Sequence, residues 1–262
     1  MRKIANNLTE YIKTMQLRAV SILFLVAILF LGSCKKDQIF GFANSTGKIV
    51  TISRSVDNNF SRILLNDNVN LVITQGNTYS IKLEGGENLL PGIATLISDS
   101  LLTIKNTNTF NWMRSYDKEI TAYVTLPHIF ELEYQATSRV SNFDTIREDS
   151  LTVSATGGSG YIDLTIKTGT SKLSIINGSV DMKIQGITGV NFIYSGGYGP
   201  FRCTDLRSDF LFMRNASTND CYVTVKKHFE YEITNLGNIY YSGNPPEISG
   251  SVTGDGKLIK YD

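Results

Sequence analysis

Two aspartates and an arginine are the side chains of this sequence whose types and spacing could support chemistry. Asp163, Asp181 and Arg202 follow one another along the chain at similar intervals. Two carboxylates beside a basic group can act as general acid and base in polysaccharide cleavage, or can contact a ligand. On an exposed surface the same side chains form ion pairs that add little stability. We favour the ion pairs, keep ligand contact as the second interpretation, and predict no catalytic residue.

The remaining reactive residues give no signature of an enzyme, a metal site or a cofactor. The two histidines, His128 and His228, are far apart along the chain. No Gly-x-Ser-x-Gly segment is present to hold a nucleophilic serine. The Gly-rich segments at 157–161 and 196–200 are not followed by the aspartate that a calcium-binding repeat needs. We therefore predict a non-enzymatic protein without a metal or a cofactor.

The part of the chain that ends at Cys34 has the pattern of an export signal. The apolar run from Ala19 to Gly32 has a length that suits the core of a signal peptide, whereas a membrane-spanning helix needs about 20 residues. Arg18 precedes this run. The segment Leu31–Cys34 resembles the lipobox of bacterial lipoproteins. That resemblance implies that the Cys34 thiol takes a diacylglycerol and that Cys34 begins the mature chain.

An anchor at Cys34 divides the chain into a signal peptide (1–33), a lipidated tether (34–58) and a body (59–262). Attached acyl chains, palmitate among them, would hold the protein on the outer membrane, since more than one chain makes anchoring stable. The pattern does not decide between the periplasmic and the outer face. The 25 basic residues are balanced by 24 acidic ones, so no strongly basic surface is expected to bind nucleic acid.

The body is built from a repeat. From Phe60 onward, short strands of alternating polarity are separated by polar turns, and apolar residues that open a first and a second strand recur at a nearly constant interval. The first-strand set is Leu132, Leu151, Leu173, Phe192, Phe210, Phe229 and Ile248, and the second-strand set is Val140, Ile162, Val180, Phe201, Cys221, Ile239 and Leu258. Turns rich in Gly or Asn separate the two strands of a unit. The unit of strand, tight turn, strand and loose turn takes about 19 residues.

Two all-β architectures fit this unit. Stacked coils would form a parallel β-solenoid, in which each unit buries its apolar face against its neighbours. Successive hairpins would instead form an antiparallel sandwich or barrel, and Asn177–Gly178 is a suitable hairpin turn. A constant period is required only by the solenoid, so we predict the solenoid and keep the sandwich or barrel as the alternative.

Segments at the start of the body resemble the head GIN domain family. They are residues 70–76, 84–89, 101–105 and 124–127, and Gly/Ser-rich turns follow them. The family comprises proteins regarded as auto-transporter adhesins, usually small lipoproteins or exported proteins of Gram-negative bacteria. The resemblance extends over residues 60–261, and it implies a single-stranded, pectin-lyase-like β-helix and a role in cell adhesion. Only 158–160 keeps the family's Gly-Ser-Gly turn.

The repeat also predicts an outward column of side chains, one from each coil, just after the second strand opens. The column is Ser141, Asp163, Asp181, Arg202, Tyr222, Tyr240 and Ile259. Tyrosine combines an apolar ring with a hydroxyl, and arginine supplies planar donors for carboxylates or sugar hydroxyls. We predict that Arg202, Tyr222 and Tyr240 contact a glycan or protein ligand. Asp163 and Asp181 would supply acceptors below them. The alternative is that the tyrosines only stabilise the sheet.

Apolar residues fall on the predicted outward side of the first strands as well. They are Ile176, Ile193, Leu211 and Met213. The segment 210–213 is apolar on both sides of its strand, which a sheet with one solvated face does not require. Exposed apolar patches mark contacts. We therefore predict the interface of a homo-oligomer here, or alternatively a patch covered by the tether or an early loop.

Two cysteines, Cys203 and Cys221, remain beyond the proposed lipidation site. In the predicted register Cys221 aligns with Phe201, so the thiols are offset along the strand and are too far apart for a disulfide. The pattern favours two buried thiols, while an oxidising compartment keeps the disulfide open as an alternative.

These observations favour a lipid-anchored scaffold for binding or adhesion. Two alternatives remain at this stage. One is a structural or envelope-homeostasis protein without a dedicated ligand. The other is a polysaccharide lyase or hydrolase, since pectin-lyase-like helices often carry such activities.

Overall fold

A computed structural model describes residues 46–108 and 119–261 of the chain. The predicted signal peptide and Cys34 lie outside the described residues. Among the described residues, no helix has the length and apolar character needed to cross a membrane.

Seventeen strands in these ranges form one continuous sheet. They are β1 (Ile49–Arg54), β2 (Arg62–Asp67), β3 (Val69–Gln75), β4 (Ser80–Gly86), β5 (Ile93–Ser98), β6 (Leu101–Asn106), β7 (Ile120–Leu126), β8 (Glu131–Ala136), β9 (Arg139–Asn142), β10 (Ile146–Ala155), β11 (Tyr161–Ile175), β12 (Asp181–Ser195), β13 (Phe201–Asn215), β14 (Cys221–Ile233), β15 (Ile239–Ser242), β16 (Glu247–Val252) and β17 (Leu258–Lys260).

The sheet winds into a parallel β-solenoid, as predicted. Strands β10 to β14 pair in parallel with their sequence neighbours. Leu173 pairs with Ile193, and Ile193 pairs with Met213, so the coils in this region have equal length, close to the predicted period. Each of β11, β12 and β13 runs through both faces of its coil. The polar segment 205–209, where the repeat predicts a loose turn, is therefore a bend inside β13 and not a loop.

The beginning of the body departs from this simple stacking. The coil formed by β2 and β3 lies between the coil of β6 and β7 and the coil of β8 and β9. At this end the strands turn antiparallel, because β4 pairs with β7, β1 pairs with β4, and β5 pairs with β6. We call this end the capped end. The antiparallel strands cover the edge of β7 that would otherwise be open for pairing. Since β1 lies within residues 34–58, part of the predicted tether is a strand of the sheet.

The core is a set of apolar columns that run from coil to coil. One column contains Leu132, Val153, Leu173, Ile193 and Met213, and all of these side chains are buried. Each coil buries its apolar face only against the coils on either side, as expected of a solenoid. Stability is therefore shared among neighbouring coils, and a substitution in the core of one coil mainly affects that coil and its two neighbours.

This register corrects the predicted outward apolar patch. Ile193, Leu211 and Met213 are 3%, 0% and 3% exposed, so the prediction that they face solvent is wrong. Only Ile176, which follows the end of β11, is exposed. The error comes from treating the large apolar residue Phe192, which opens its strand, as a core residue. In the structure Phe192 faces outward, because its neighbour Ile193 occupies the core column.

Polar residues are buried at the corner where each coil bends from one face to the other. Thr168 and Ser171 both point inward across the bend of β11, so the inward positions change from even to odd numbers there. Their hydroxyls join a network across coils: the Thr168 hydroxyl lies 3.0 Å from that of Thr188, and Ser171 lies 2.8 Å from the Asn191 side-chain oxygen. Buried polar groups of this kind are stable only when they are hydrogen-bonded.

The tight turns stack as closely as the strands do. Gly158 has φ of +90°, which favours glycine over residues with a side chain. A Cβ atom at Gly158 would also overlap the backbone oxygen of Ala136 in the preceding coil. The Gly-rich turn therefore serves the stacking of coils.

Candidate functional site

The first candidate surface is a column of side chains on the second-strand face, which we call the tyrosine column: Arg202, Tyr222 and Tyr240. The register pairs Arg202 with Tyr222 and Tyr222 with Tyr240 on successive coils. The two tyrosine rings are stacked, with centroids 4.9 Å apart and planes 10° from parallel. That distance matches the spacing of neighbouring strands, about 4.8 Å. The structure thus brings together the three residues that the sequence places in one column.

A third tyrosine, which the sequence reasoning missed, completes this surface. Tyr261 meets Tyr222 and Tyr240 edge-on, at centroid distances of 6.3 and 6.5 Å. Its hydroxyl lies 3.1 Å from the hydroxyl of Thr204. Tyr261 lies two residues after Ile259, so alternation along a strand places both side chains on the same side of the chain. This alternation could have predicted from the sequence that Tyr261 lies beside the column.

Of the two predicted acidic members, Asp163 lies in the column as predicted, whereas Asp181 is placed differently. Lys183, and not Asp181, aligns with Arg202 in the register. Asp181 aligns with Tyr161 instead, but Arg202 reaches it diagonally, with Nε 3.0 and 2.9 Å from the two carboxylate oxygens. This hydrogen bond, together with the charge of Asp181, raises the pKa of the Arg202 guanidinium. Asp181 is therefore an ion-pair partner of the column, and its assignment to the column itself is corrected.

Asp163 has its own cation. It aligns with Lys183, whose ammonium nitrogen lies 3.6 Å from the Asp163 carboxylate. Each aspartate is thus paired with a separate basic residue on the neighbouring coil. This is the geometry of half-exposed ion pairs, which stabilise a protein only modestly. It differs from the arrangement of a general acid and base, in which two carboxyl groups face one substrate position.

The second candidate surface lies on the first-strand face, and we call it the aromatic groove. It is a shallow groove of about 700 Å³ between two outward columns. One column contains Lys172, Phe192, Phe212 and Glu230, and the other contains Ser174, Tyr194, Arg214 and Glu232. The Phe192 and Phe212 rings are stacked at 5.2 Å, yet Phe192 remains 41% exposed. This face does carry an apolar surface, but it is formed by these aromatic residues and not by the predicted Ile193, Leu211 and Met213.

The two cysteines are free and buried. As predicted, Cys221 pairs with Phe201 in the register, while Cys203 pairs with Val223. Burial raises the pKa of each thiol to about 12, against an ordinary value of 9.0. Since the thiolate is the reactive form, both residues are poorly placed for redox or nucleophilic chemistry.

This burial gives a direct expectation for thiol chemistry. Burial shields both thiols from the reagent, and the raised pKa keeps the thiolate form scarce at pH 8. We therefore expect Ellman's reagent to modify almost none of Cys203 or Cys221 in the folded protein and both of them in guanidinium chloride. Fast modification of the folded protein would contradict their burial. Failure to modify them in denaturant without a reductant would indicate a disulfide.

The stacked coils, the capped end and the two outward surfaces define a β-solenoid, a class whose repeats present extended surfaces. A family model described as "Putative auto-transporter adhesin, head GIN domain" matches residues 59–245, and the chain belongs to this family. The resemblance noted in the sequence is thereby confirmed.

Solved structures of bacterial proteins share this fold. A "putative adhesin" from Bacteroides fragilis is 18% identical, with a TM-score of 0.74 over 82% of this chain and 97% of that one. Another from Parabacteroides distasonis is 15% identical, with a TM-score of 0.66 over 82% and 98%. A "putative lipid binding protein" from the same species is 17% identical, with a TM-score of 0.59 over 84% and 99%. At such identities the likeness shows the fold alone. No curated protein matches the sequence.

Proposed function

We propose that the protein is a lipid-anchored binding scaffold of the cell envelope, attached to the outer membrane through Cys34. Its solenoid would present the tyrosine column to an extended ligand, a glycan or a protein. The observation that carries this proposal is the stacking of Tyr222 on Tyr240 beside Arg202, with one residue from each coil. Membership of an adhesin-like family and the export pattern before Cys34 support the same view.

The chemistry of the column favours hydrogen bonding over ring stacking on a ligand. Because Tyr222 and Tyr240 stack on each other, the faces between them are not available to a sugar ring. The column offers phenol hydroxyls instead. Burial, together with the nearby charge of Asp220, raises the pKa of Tyr222, so its hydroxyl stays protonated and can donate at physiological pH.

Other polar groups extend this row. The hydroxyls of Thr224 and Ser242 lie 2.7 Å apart, further along the same strands. The ion pair between Arg202 and Asp181 uses Nε, so it does not involve the two terminal guanidinium nitrogens. A ladder of hydroxyls with a guanidinium at one end suits a ligand whose polar groups also repeat along its length.

Binding is better supported than catalysis. Asp163 and Asp181 are each engaged by a different cation, Lys183 and Arg202. A lyase or hydrolase would need carboxyl groups that converge on one substrate position. The remaining alternative, a structural role in the envelope without a ligand, shares the same fold and differs only in the absence of a binding partner.

An array of glycans and matrix proteins tests the proposal. We expect reproducible binding by the wild-type protein and a loss of about tenfold or more in affinity for the double variant Tyr222→Ala, Tyr240→Ala, because hot-spot tyrosines typically contribute over about 1 kcal/mol each. Tyr123→Ala is the matched control, since this exposed tyrosine lies on β7, outside the column.

Three results would count against the proposal. Absence of any bound ligand would favour the structural role. Full binding by the double variant would exclude the column as the contact. Cleavage of a polysaccharide that is lost in Asp181→Asn would instead establish an enzyme.

A further inference from the structure

The aromatic groove carries an ordered set of charges along the coils. In one outward column, Lys172 is followed by Phe192, Phe212 and Glu230 on successive coils. A cation thus lies at one end of the column, an anion at the other, and two stacked aromatic rings between them. Both Lys172 and Glu230 are exposed, and within the described residues neither has an ion-pair partner. Reversing the direction of the column exchanges the positions of the two charges and leaves the aromatic pair in the middle.

We propose that this surface binds a second copy of the chain in antiparallel orientation. The two-fold axis would run along the strand direction, between the coils of Phe192 and Phe212. Lys172 then faces Glu230 of the partner subunit, and by symmetry Glu230 faces the partner's Lys172. Phe192 packs on Phe212 of the partner subunit, so the apolar middle of one groove covers that of the other.

The neighbouring column supports the same orientation. It contains Tyr194 and Arg214 at the level of the two phenylalanines. In the antiparallel pair, Arg214 faces Tyr194 of the partner subunit, and a guanidinium over an aromatic ring is a favourable contact. Arg214 is already held 3.3 Å from Glu232 within its own chain, which fixes the position of its side chain.

Charge also excludes the parallel alternative. A two-fold axis along the solenoid would set each coil against the same coil of the partner. Glu230 would then face Glu232 of the partner subunit. By symmetry Glu232 would face the partner's Glu230, so two pairs of carboxylates would oppose each other. Like charges in direct opposition are unfavourable and act against wrong pairings. The antiparallel arrangement replaces both conflicts by opposite charges.

The contact is small. Four coils by about five residues give a footprint of roughly 350 Å² per copy. Interfaces of this size belong to the weak and transient class. A single pair is therefore weak, and the contact becomes effective only where many copies act together, as on two facing surfaces.

The orientation also defines where pairing can occur, a step that rests on the proposed anchor at Cys34. The described chain begins at Thr46, whose carbonyl accepts a hydrogen bond from the Asn88 amide at the capped end. Only the short segment 35–45 separates Cys34 from Thr46. Antiparallel pairing sets the capped ends of the two copies at opposite ends of the dimer. Upright copies anchored in two facing membranes satisfy this geometry, which makes the contact a homophilic adhesion between cells.

Vesicles carrying the lipidated full-length mature protein test this inference. Flotation first measures insertion into phosphatidylcholine vesicles, and light scattering then measures their clustering. We expect wild-type vesicles to cluster, and Lys172→Glu or Glu230→Lys alone to reduce the rate about tenfold or more. Mixing the two variant populations should restore clustering, because each mixed pair again opposes unlike charges at both contacts.

The outcomes separate the pairing from the anchor. Inserted wild-type protein that does not cluster vesicles would overturn the inference, as would single variants that cluster normally or a mixture that fails to recover. Protein that does not float would overturn the anchor instead. The pairing would then be decided by sedimentation velocity at high protein concentration, with the same variants and the same mixture. Circular dichroism checks that the exposed substitutions leave the fold intact.

Discussion

Replacing Phe229 by alanine is expected to lower the free energy of unfolding by about 3–5 kcal/mol, the usual cost of removing a buried aromatic ring. Phe229 lies in β14 and is completely buried. Its ring is 5.6 Å from that of Tyr231 and 5.5 Å from that of Tyr241. Because each coil packs only on its neighbours, few side chains can move to fill the cavity. Urea denaturation followed by circular dichroism measures the loss.

Phe143→Ala is the matched control for this substitution. Phe143 is 79% exposed, so removal of its ring should change the free energy of unfolding by no more than about 0.5 kcal/mol. Equal losses for the two variants would mean that Phe229 is not buried in the core. The same conclusion would follow if Phe229→Ala cost less than about 1 kcal/mol.

The period of the solenoid is predictable from sequence because it depends on local turn chemistry. Residues such as Gly158 and Gly178 adopt positive φ in successive coils, and the interval between them along the chain equals the length of one coil. A turn of this kind favours glycine whatever packs around it. Glycine and asparagine therefore report the period even where the apolar pattern is irregular.

The direction of each side chain was harder to predict, because burial at the bends does not follow polarity. Thr168 and Ser171 are buried polar residues on either side of a bend, so hydrophobicity gives no sign of where the inward positions change from even to odd. Phe192 illustrates the consequence. Its size suggests a core position, yet it stacks on Phe212 at the surface. The identity of the outward residues followed only from the register.

The position of Asp181 shows a second reason why the register could not be predicted fully from the sequence. Val180 and Met182 are both apolar and both buried, and either could open the second strand of that coil. Met182 is the residue that aligns with Phe201, so Asp181 stands before the strand opener and not after it. Two apolar residues separated by one position leave two registers open. The sequence nonetheless indicated correctly that Asp181 and Arg202 are neighbours, since the two side chains are long enough to meet although their backbone positions are not aligned.

No local feature of the sequence predicts the order in which the first coils stack. The coil of β6 and β7 stacks on the coil of β2 and β3, although the antiparallel strands β4 and β5 come between them in the chain. Pairings over such separations depend on the packing of the whole domain and not on the composition of any one segment.

Cys34→Ala is expected to abolish incorporation of radiolabelled palmitate and to move the protein from the membrane fraction to the soluble fraction. The reason is chemical: in the proposed lipoprotein the Cys34 thiol takes the diacylglycerol, and each buried methylene of an acyl chain contributes about 0.8 kcal/mol to membrane binding. Labelling of whole cells followed by fractionation measures both effects. The expected change is close to complete, because no other segment of the mature chain is proposed to hold the bilayer.

Cys203→Ala controls for the loss of a cysteine as such. Its thiol is buried in the solenoid, and burial raises its pKa to about 12. The Cys203 thiol should therefore take no acyl group. The Cys203→Ala variant should incorporate palmitate and fractionate with the membrane as the wild type does. Palmitate that still labels Cys34→Ala, or that fails to label the wild type, would rule out the anchor. The homophilic contact between facing membranes would then lose its basis, whereas the pairing of the aromatic grooves in solution would not.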